Sequence, residues 1–173
     1  MNEAIKDFDE AIILEPNNYI GYSNRGFTLH QTGRYDEALL DFNRAISLNS
    51  NDTSTYNNRG INYILLHQYH SAIKDFNIAI QLNPKNYLAI SNRGFAKQAL
   101  KNYSQSILDF DAAIGLNPSY ANCYIMRGFS YFRMNQFCKA KKDYDQAIKI
   151  NSSTSFFYPY QEEAKRKCLS NDK

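Results

Sequence analysis

One pattern of residue types recurs along most of this 173-residue chain, at a constant step of 34 in the numbering. An Arg–Gly pair occurs four times at that spacing, and its glycines are Gly26, Gly60, Gly94 and Gly128. The same step links four aspartates, four aromatic residues and four alanines: Asp41, Asp75, Asp109 and Asp143; Phe42, Phe76, Phe110 and Tyr144; Ala45, Ala79, Ala113 and Ala147. A fixed period of roughly 20 to 50 residues indicates a repeat protein whose units bury a core only by stacking.

Each period contains two helical patterns, which we call the first and the second helix of the repeat. In the earliest complete unit, Tyr22, Gly26 and Leu29 are spaced by four and three residues. After Gly33, the spacing of Ala38, Phe42 and Ala45 predicts the second helix. Pro84 and Pro118 mark the ends of later units, since proline does not continue a helix.

The pattern resembles the tetratricopeptide repeat, a helix-turn-helix unit of about 34 residues. The resemblance rests on a small residue at positions eight and twenty, an aromatic residue at position 24 and an alanine at position 27. It covers four units, residues 19–52, 53–86, 87–120 and 121–154. The third unit departs from the family at Ile90 and Lys97. The resemblance implies an all-α, right-handed superhelical solenoid.

The two ends extend this pattern. Residues 1–18 are interpreted as the second helix of a preceding partial repeat, because Ala4, Phe8 and Ala11 match positions 20, 24 and 27. Either the chain is a piece of a longer array, or something else covers this helix. Residues 155–173 are expected to form a C-terminal capping helix and tail with Pro159 in its first turn, for about ten helices in all.

The resemblance implies that positions two, five, six, nine, twelve and thirteen of the first helices line a concave groove. Position six is Asn24, Asn58 and Asn92, followed by Met126 in the fourth unit. Because an Asn side chain both donates and accepts, such a row can bind a peptide backbone whatever its sequence. The row is similar to the asparagine ladder of O-GlcNAc transferases. The alternative is that these are ordinary polar residues on a solvated surface.

Position nine supplies an apolar strip of Phe27, Ile61, Phe95 and Phe129. With Ile125 and Met126, the strip makes the inner face of the fourth unit more apolar than that of the second unit. A hydrophobic anchor of a ligand is therefore expected on the fourth unit. Two alternatives remain open. The strip residues could pack against neighbouring first helices, or the C-terminal helix could fold over the patch.

The four arginines that precede the glycines are interpreted as structural. Each unit also has an Asp at position 23, and arginine suits bidentate pairing with a carboxylate. We therefore expect ion pairs between the two helices of each repeat. The chain lacks the Lys and Asn pattern of the family members that clamp acidic chaperone tails, so that type of recognition is not expected.

Charge and cysteine content restrict the partners. The net charge of +3 does not give the strongly basic footprint of a nucleic-acid or membrane-surface protein, and no run of eighteen apolar residues or signal peptide is visible. Three cysteines without a CxxC spacing suggest reduced thiols in a cytoplasmic compartment, and neither a metal nor another cofactor is expected.

No nucleophile elbow, phosphate-binding glycine loop or paired carboxylate motif supports catalysis. We expect a non-enzymatic scaffold that binds a protein or peptide segment in the groove. The alternative is a targeting or regulatory array of a larger protein or enzyme. Nucleic acid is a disfavoured partner. Residues 1–16 carry a net charge of −4 and residues 139–173 one of +3, so head-to-tail self-association is a further possibility.

Overall fold

The computed structural model describes residues 2–151 and 158–171, and this part of the chain folds into α-helices alone. The ten helices are α1 (Asn2–Leu14), α2 (Tyr19–Gln31), α3 (Tyr35–Leu48), α4 (Thr53–Leu65), α5 (Tyr69–Leu82), α6 (Tyr87–Ala99), α7 (Tyr103–Leu116), α8 (Ala121–Arg133), α9 (Phe137–Ile150) and α10 (Tyr158–Asn171). The predicted fold class, an all-α repeat solenoid of about ten helices, is confirmed.

The helix boundaries recur at the same places in each repeat. Asn18, Asp52 and Asn86 cap first helices, because their side chains accept hydrogen bonds from backbone N–H groups of the first turn. The turn between the two helices passes through one left-handed residue at position fifteen: Gly33 (φ 80°), His67 (φ 57°), Lys101 (φ 63°) and Asn135 (φ 60°). His67 is therefore a turn residue.

The chain divides into two compact units, residues 1–84 and 85–173. In the first unit, α2 packs on α3 and α4 on α5, while α1 contacts α2 and α3 contacts α4. Its core is made by the position-20, -24 and -27 residues of α3 and α5, which are fully buried: Ala38, Phe42, Ala45, Ala72, Phe76 and Ala79. Glycine at position eight is needed here, since a Cβ on Gly60 would lie 2.6 Å from the ring of Phe76.

In the second unit, α6 packs on α7, α8 on α9, and α9 on α10. Phe110 and Tyr144 fill the aromatic position of the two complete repeats. Tyr144 packs with Ala140 and with Ala164 of α10. Its buried hydroxyl makes no hydrogen bond within the described part of the chain, and burial raises the pKa of this phenol.

The expectation of three reduced cysteines is wrong for two of them. Cys138 of α9 and Cys168 of α10 form a disulfide, with their Cα atoms 4.8 Å apart. The argument from free thiols to a cytosol-like compartment therefore no longer holds. Cys123 is a free, buried thiol whose pKa is raised by burial, in keeping with an unreactive side chain.

The C-terminal segment is described only in part. Pro159 lies in the first turn of α10, as predicted. Ser155, expected to begin the capping segment, lies outside the described residues. Of the helices that the structure describes, none has the length and apolar content required to cross a membrane.

Candidate functional site

The four repeated arginines bind the aspartates of their own second helices. The Nε and Nη2 atoms of each guanidinium donate to the two carboxylate oxygens, at 2.6 to 3.0 Å. The aspartate side chains are only 5 to 9% exposed. The predicted helix-to-helix ion pairs are confirmed. The hydrogen bond with Asp41 raises the pKa of Arg25, while burial raises the pKa of Asp143.

Three of these arginines also reach the second helix of the preceding repeat. Arg25 donates to Asp9 at 2.6 Å, Arg59 to Asn43 at 2.7 Å, and Arg127 to Asp111 at 2.5 Å. Each guanidinium therefore joins two second helices to one first helix. Because these donors are already bound, the arginines serve the scaffold and do not form an anion-binding row.

Polar contacts join the first helices within the first unit. The hydroxyls of Ser23 on α2 and Thr55 on α4 lie 2.7 Å apart, in a buried position. Further along, His30 Nδ1 lies 3.1 Å from the side-chain oxygen of Asn62, whose amide nitrogen donates to the backbone oxygen of Tyr35 at 2.9 Å. With the amide oriented in this way, the Nδ1 atom of His30 is the donor. His30 is thus a structural histidine.

In the second unit, the contacts between the two first helices use different side chains. Gln98 of α6 donates to the backbone oxygen of Met126 and to the hydroxyl of Ser130, both at 2.7 Å. The thiol of Cys123 donates to Ser91 at 3.2 Å. In both units, positions five and twelve of one first helix meet positions three and ten of the next. Sequence reasoning missed these contacts, although the polar residues at positions that pack against a neighbour were a visible signal.

These contacts leave one face of each first helix open. Positions seven and eight face the second helix, and positions three, five, ten and twelve face neighbouring repeats. Positions two, six, nine and thirteen lie between those packed sides, at the helical spacing of four, three and four residues. We call these four residues of a first helix its stripe.

In the first unit, the stripe of α2 combines apolar and amide side chains. Ile20 is 49% exposed and Phe27 is 43% exposed, with the exposed Asn24 between them. The stripe of α4, which contacts α2, places the half-buried Asn58 and Ile61 at the corresponding positions. The side chains of Asn24 and Asn58 make no hydrogen bond to any residue that the structure describes.

In the second unit, the stripe of α6 repeats this pattern. Leu88 is 40% exposed and Phe95 is 36% exposed, on either side of the half-buried Asn92. On α8, the half-buried Phe129 packs edge to face against Tyr160 of α10, with ring centroids 6.4 Å apart. The expected alternative, that the C-terminal helix folds over this patch, is thus confirmed in part.

One predicted groove residue is wrong. Ile125 is 1% exposed and packs with Tyr124 and Ala147 in the core of the second unit. It occupies position five, which faces a neighbouring helix and not solvent. Met126, beside it at position six, is half-buried on the stripe of α8.

Helix pairs of this length, locked by a glycine–aromatic contact and an Arg–Asp pair at a constant period, define a helical repeat protein. The chain belongs to the tetratricopeptide repeat family: family profiles match residues 19–52, 54–86 and 121–154, more than half of its length. No curated protein sequence matches the chain.

Several solved structures have a similar fold. MamA from Desulfovibrio magneticus RS-1, residues 41 to the end, superposes with a TM-score of 0.82 at 20% identity, over 88% of this chain and 86% of that one. A tetratricopeptide repeat protein from Parabacteroides merdae gives 0.81 at 20% identity, over 97% and 67%. Cut9, from the APC/C hetero-tetramer Cut9–Hcn1, gives 0.85 at 20% identity, over 94% of this chain but 33% of that one. At these identities the similarity shows the fold alone.

Proposed function

We propose that the chain is a non-enzymatic scaffold that binds an extended segment of a partner protein along the stripes. The observation that carries the proposal is the environment of Asn24 and Asn58. Neither amide side chain makes a hydrogen bond within the described part of the chain. Asn24 lies between two exposed apolar residues, Ile20 and Phe27. No hydrogen bond within the described part of the chain therefore accounts for the amides at these two positions.

The chemistry of the stripe suits a peptide backbone. An extended segment presents N–H and C=O groups that are unpaired, and each Asn amide can donate to a carbonyl and accept from an N–H. Phe27 and Ile20 would then bury apolar side chains of the ligand beside the bonded backbone. In the second unit, Leu88 and Phe95 would play the same part on α6.

The charge of the stripes favours a protein ligand over nucleic acid. Arg133 is the only cation among the stripe residues of α2, α4, α6 and α8, all of which the structure describes, and it lies over the rings of Tyr103 and Phe129. Phosphate binding usually needs several Lys or Arg side chains along the path of the backbone. Polar and apolar side chains of mixed type are better suited to a peptide.

The test is a selection of random 16-residue peptides on the full chain, followed by affinity measurements on variants. Replacing Asn24 and Asn58 by Ala should weaken the selected peptides by roughly tenfold or more, since each lost hydrogen bond contributes about 1 kcal/mol. Phe27→Ser should weaken them as well. The matched control is Leu40→Ser, because Leu40 is 70% exposed but lies on the second helix α3. Peptides that lose affinity only with Leu40→Ser would refute the proposal.

A second candidate function is a targeting or regulatory array within a larger protein. Its support is that the same fold occupies 33% of the Cut9 chain. The sequence of the complete gene separates the two candidates, since the second requires a catalytic or effector domain on the same polypeptide.

A further inference from the structure

Helix α10 takes the place of a first helix beside α8 and α9. Its Gln161 donates to Asp145, as Arg127 donates to Asp111 at the same sequence spacing. In this register Tyr160 stands at position six, where the first three repeats have an Asn. An aromatic ring therefore replaces an amide at this position of α10.

The ring of Tyr160 covers apolar side chains of α8. It packs edge to face against Phe129 at position nine and Phe132 at position twelve, with ring centroids 6.4 Å apart in both contacts. Phe129 is half-buried, whereas Phe27 and Phe95 at the same position are 43% and 36% exposed. Those two residues also have a following first helix beside their own, α4 and α8 respectively. We attribute the extra cover on the stripe of α8 to the ring of Tyr160.

Little packing holds α10 in this position. Between residues 159 and 170, Ala164 alone is fully buried. The first helices of the four repeats bury three to six residues each. Tyr160, Ala164 and Cys168 form one line along α10 at a spacing of four residues, and Leu169 beside it is 62% exposed. Because so little apolar surface is buried, packing contributes little to the docking of α10.

A covalent bond stands where the preceding repeats have an ordinary contact. Cys138 of α9 and Cys168 of α10 form the disulfide. The residues one period earlier are Ser104 and Met134, whose hydroxyl and sulfur lie 3.8 Å apart with no covalent bond between them. The disulfide therefore supplies an attachment that packing supplies elsewhere. Neither cysteine is fully buried, as access for a reductant requires.

The docked helix also leaves a polar atom without a partner. Tyr144 packs with Ala164, and its hydroxyl makes no hydrogen bond within the described part of the chain. The other repeats have no such group at this position, since they place Phe42, Phe76 and Phe110 there. Water would reach the hydroxyl of Tyr144 once α10 moves away. The docked state thus has a cost that the undocked state lacks.

We propose that the disulfide is a redox switch that covers or uncovers the stripe of α8. A dithiol reductant attacks one of the two sulfurs as a thiolate, the S–S bond breaks, and a mixed disulfide forms. The second thiolate of the reductant then displaces the protein sulfur. The reductant leaves as a disulfide, and the protein has gained two electrons and two protons as the thiols of Cys138 and Cys168.

Reduction frees α10, because its remaining contacts are few. A helix of 14 residues is marginal in water on its own, so α10 unfolds once it leaves α9. Phe129 and Phe132 then become available to an apolar side chain of a bound segment. This inference rests on the proposed function, since it states when the stripe of the fourth repeat takes part in binding.

Hydrogen exchange on the full chain, with and without dithiothreitol, tests the movement of α10. The amides of α10 should exchange roughly 100-fold faster in the reduced chain, because the bond links residues 30 positions apart, while α6 and α7 of the same unit keep their protection. The double variant Cys138→Ser, Cys168→Ser should show the fast exchange in both conditions. Tyr144→Phe should slow the exchange of α10 in the reduced chain by roughly tenfold, because the docked state no longer contains an unpaired hydroxyl.

The dye anilinonaphthalene sulfonate, which binds exposed apolar surface, tests the uncovering of α8. Its fluorescence should rise on reduction, and Phe129→Ser should remove most of that rise. Leu108→Ser is the matched control, because Leu108 is 59% exposed on α7 of the same unit, and it should leave the rise unchanged. Peptides selected on the reduced chain that need Phe129 should bind it roughly tenfold more tightly than the oxidised chain. Peptides that need Phe27 should bind both forms equally.

Three results would overturn the proposal. The first is equal protection of α10 in the oxidised and reduced chains. The second is faster exchange throughout α6, α7, α8 and α9 on reduction, since the bond would then hold the whole unit together. The third is a rise in dye fluorescence that Phe129→Ser leaves unchanged. If α10 and the dye respond as expected but no peptide needs Asn24 or Phe27, the proposed function fails and the redox control of this surface stands. Peptides that need Asn24, in a chain whose α10 ignores the reductant, show the reverse.

Discussion

The glycine at position eight offers the sharpest test of how the repeats are held together, through the substitution Gly60→Ala. In most helix interiors this change stabilises a protein by about 1 kcal/mol, because alanine has the higher helix propensity. Here the new Cβ would lie 2.6, 2.8 and 3.0 Å from three ring carbons of Phe76. Phe76 is fully buried, so its ring can yield only by displacing its packed neighbours. Overpacking of this kind costs about 1–3 kcal/mol, so the net change should be neutral to about 2 kcal/mol destabilising.

Gly115→Ala is the matched control for that experiment. Gly115 also lies in a helix, α7, but a Cβ there would meet nothing within 4 Å. Both variants gain the helix propensity of alanine, and only Gly60→Ala has the overpacking cost. The two variants should therefore differ in the free energy of unfolding by about 1–3 kcal/mol, measured by urea denaturation. In a Phe76→Leu background, Gly60→Ala should lose most of its cost. Equal stabilisation by the two alanines would refute the close-approach argument.

Three further predictions concern the buried polar groups and the disulfide. Arg59→Met should lower the free energy of unfolding by about 3 kcal/mol, because it leaves the buried carboxylate of Asp75 unpaired, while selected peptides should bind the folded variant unchanged; unchanged melting with lost binding would contradict this. Tyr144→Phe should be neutral or stabilise by about 1–3 kcal/mol in thermal melts, because it removes a buried hydroxyl that has no partner within the described part of the chain; a clear loss would reveal a partner. Cys168→Ser opens a cross-link between residues 30 positions apart and should cost up to about 3–4 kcal/mol, with faster hydrogen exchange in α10; equal exchange with and without reductant would count against the cross-link.

The repeated contacts of the fold were predictable from the sequence because one physical solution is used four times. Arg59 and Asp75 lie 16 positions apart, as do Gly60 and Phe76, and the same pairs recur at a step of 34. A single Arg and Asp 16 positions apart would not predict a contact, but the same spacing in four repeats does. The turn at position fifteen was less visible, since Gly33, His67, Lys101 and Asn135 share a backbone conformation but no chemistry.

The features that sequence reasoning missed are those that depend on which neighbour is adjacent. Ile125 has the same hydrophobic character whether it faces a groove or a core, and only the packing of α8 against its neighbours decides between them. The disulfide required the position of α10 on α9, because Cys138 and Cys168 lie in different repeats. The contacts between neighbouring first helices use a different polar pair each time, so the sequence shows no repeating residue type at these positions.

Comparison of the repeats within this one chain separates the residues that hold the fold from those that are free to select a ligand. Positions seven, eight, 23 and 24 scarcely vary, and each has a packing contact that explains its constancy. Positions two, nine and thirteen vary between aliphatic, aromatic and polar side chains, as expected for a surface that packing does not constrain. Position six is intermediate: it is Asn24, Asn58 and Asn92 in the first three units and Met126 in the fourth, and of these Asn24 is exposed and the others are half-buried. The peptide ligand that we propose would give the amides of Asn24 and Asn58 a common use, because each can donate to a backbone carbonyl and accept from a backbone N–H.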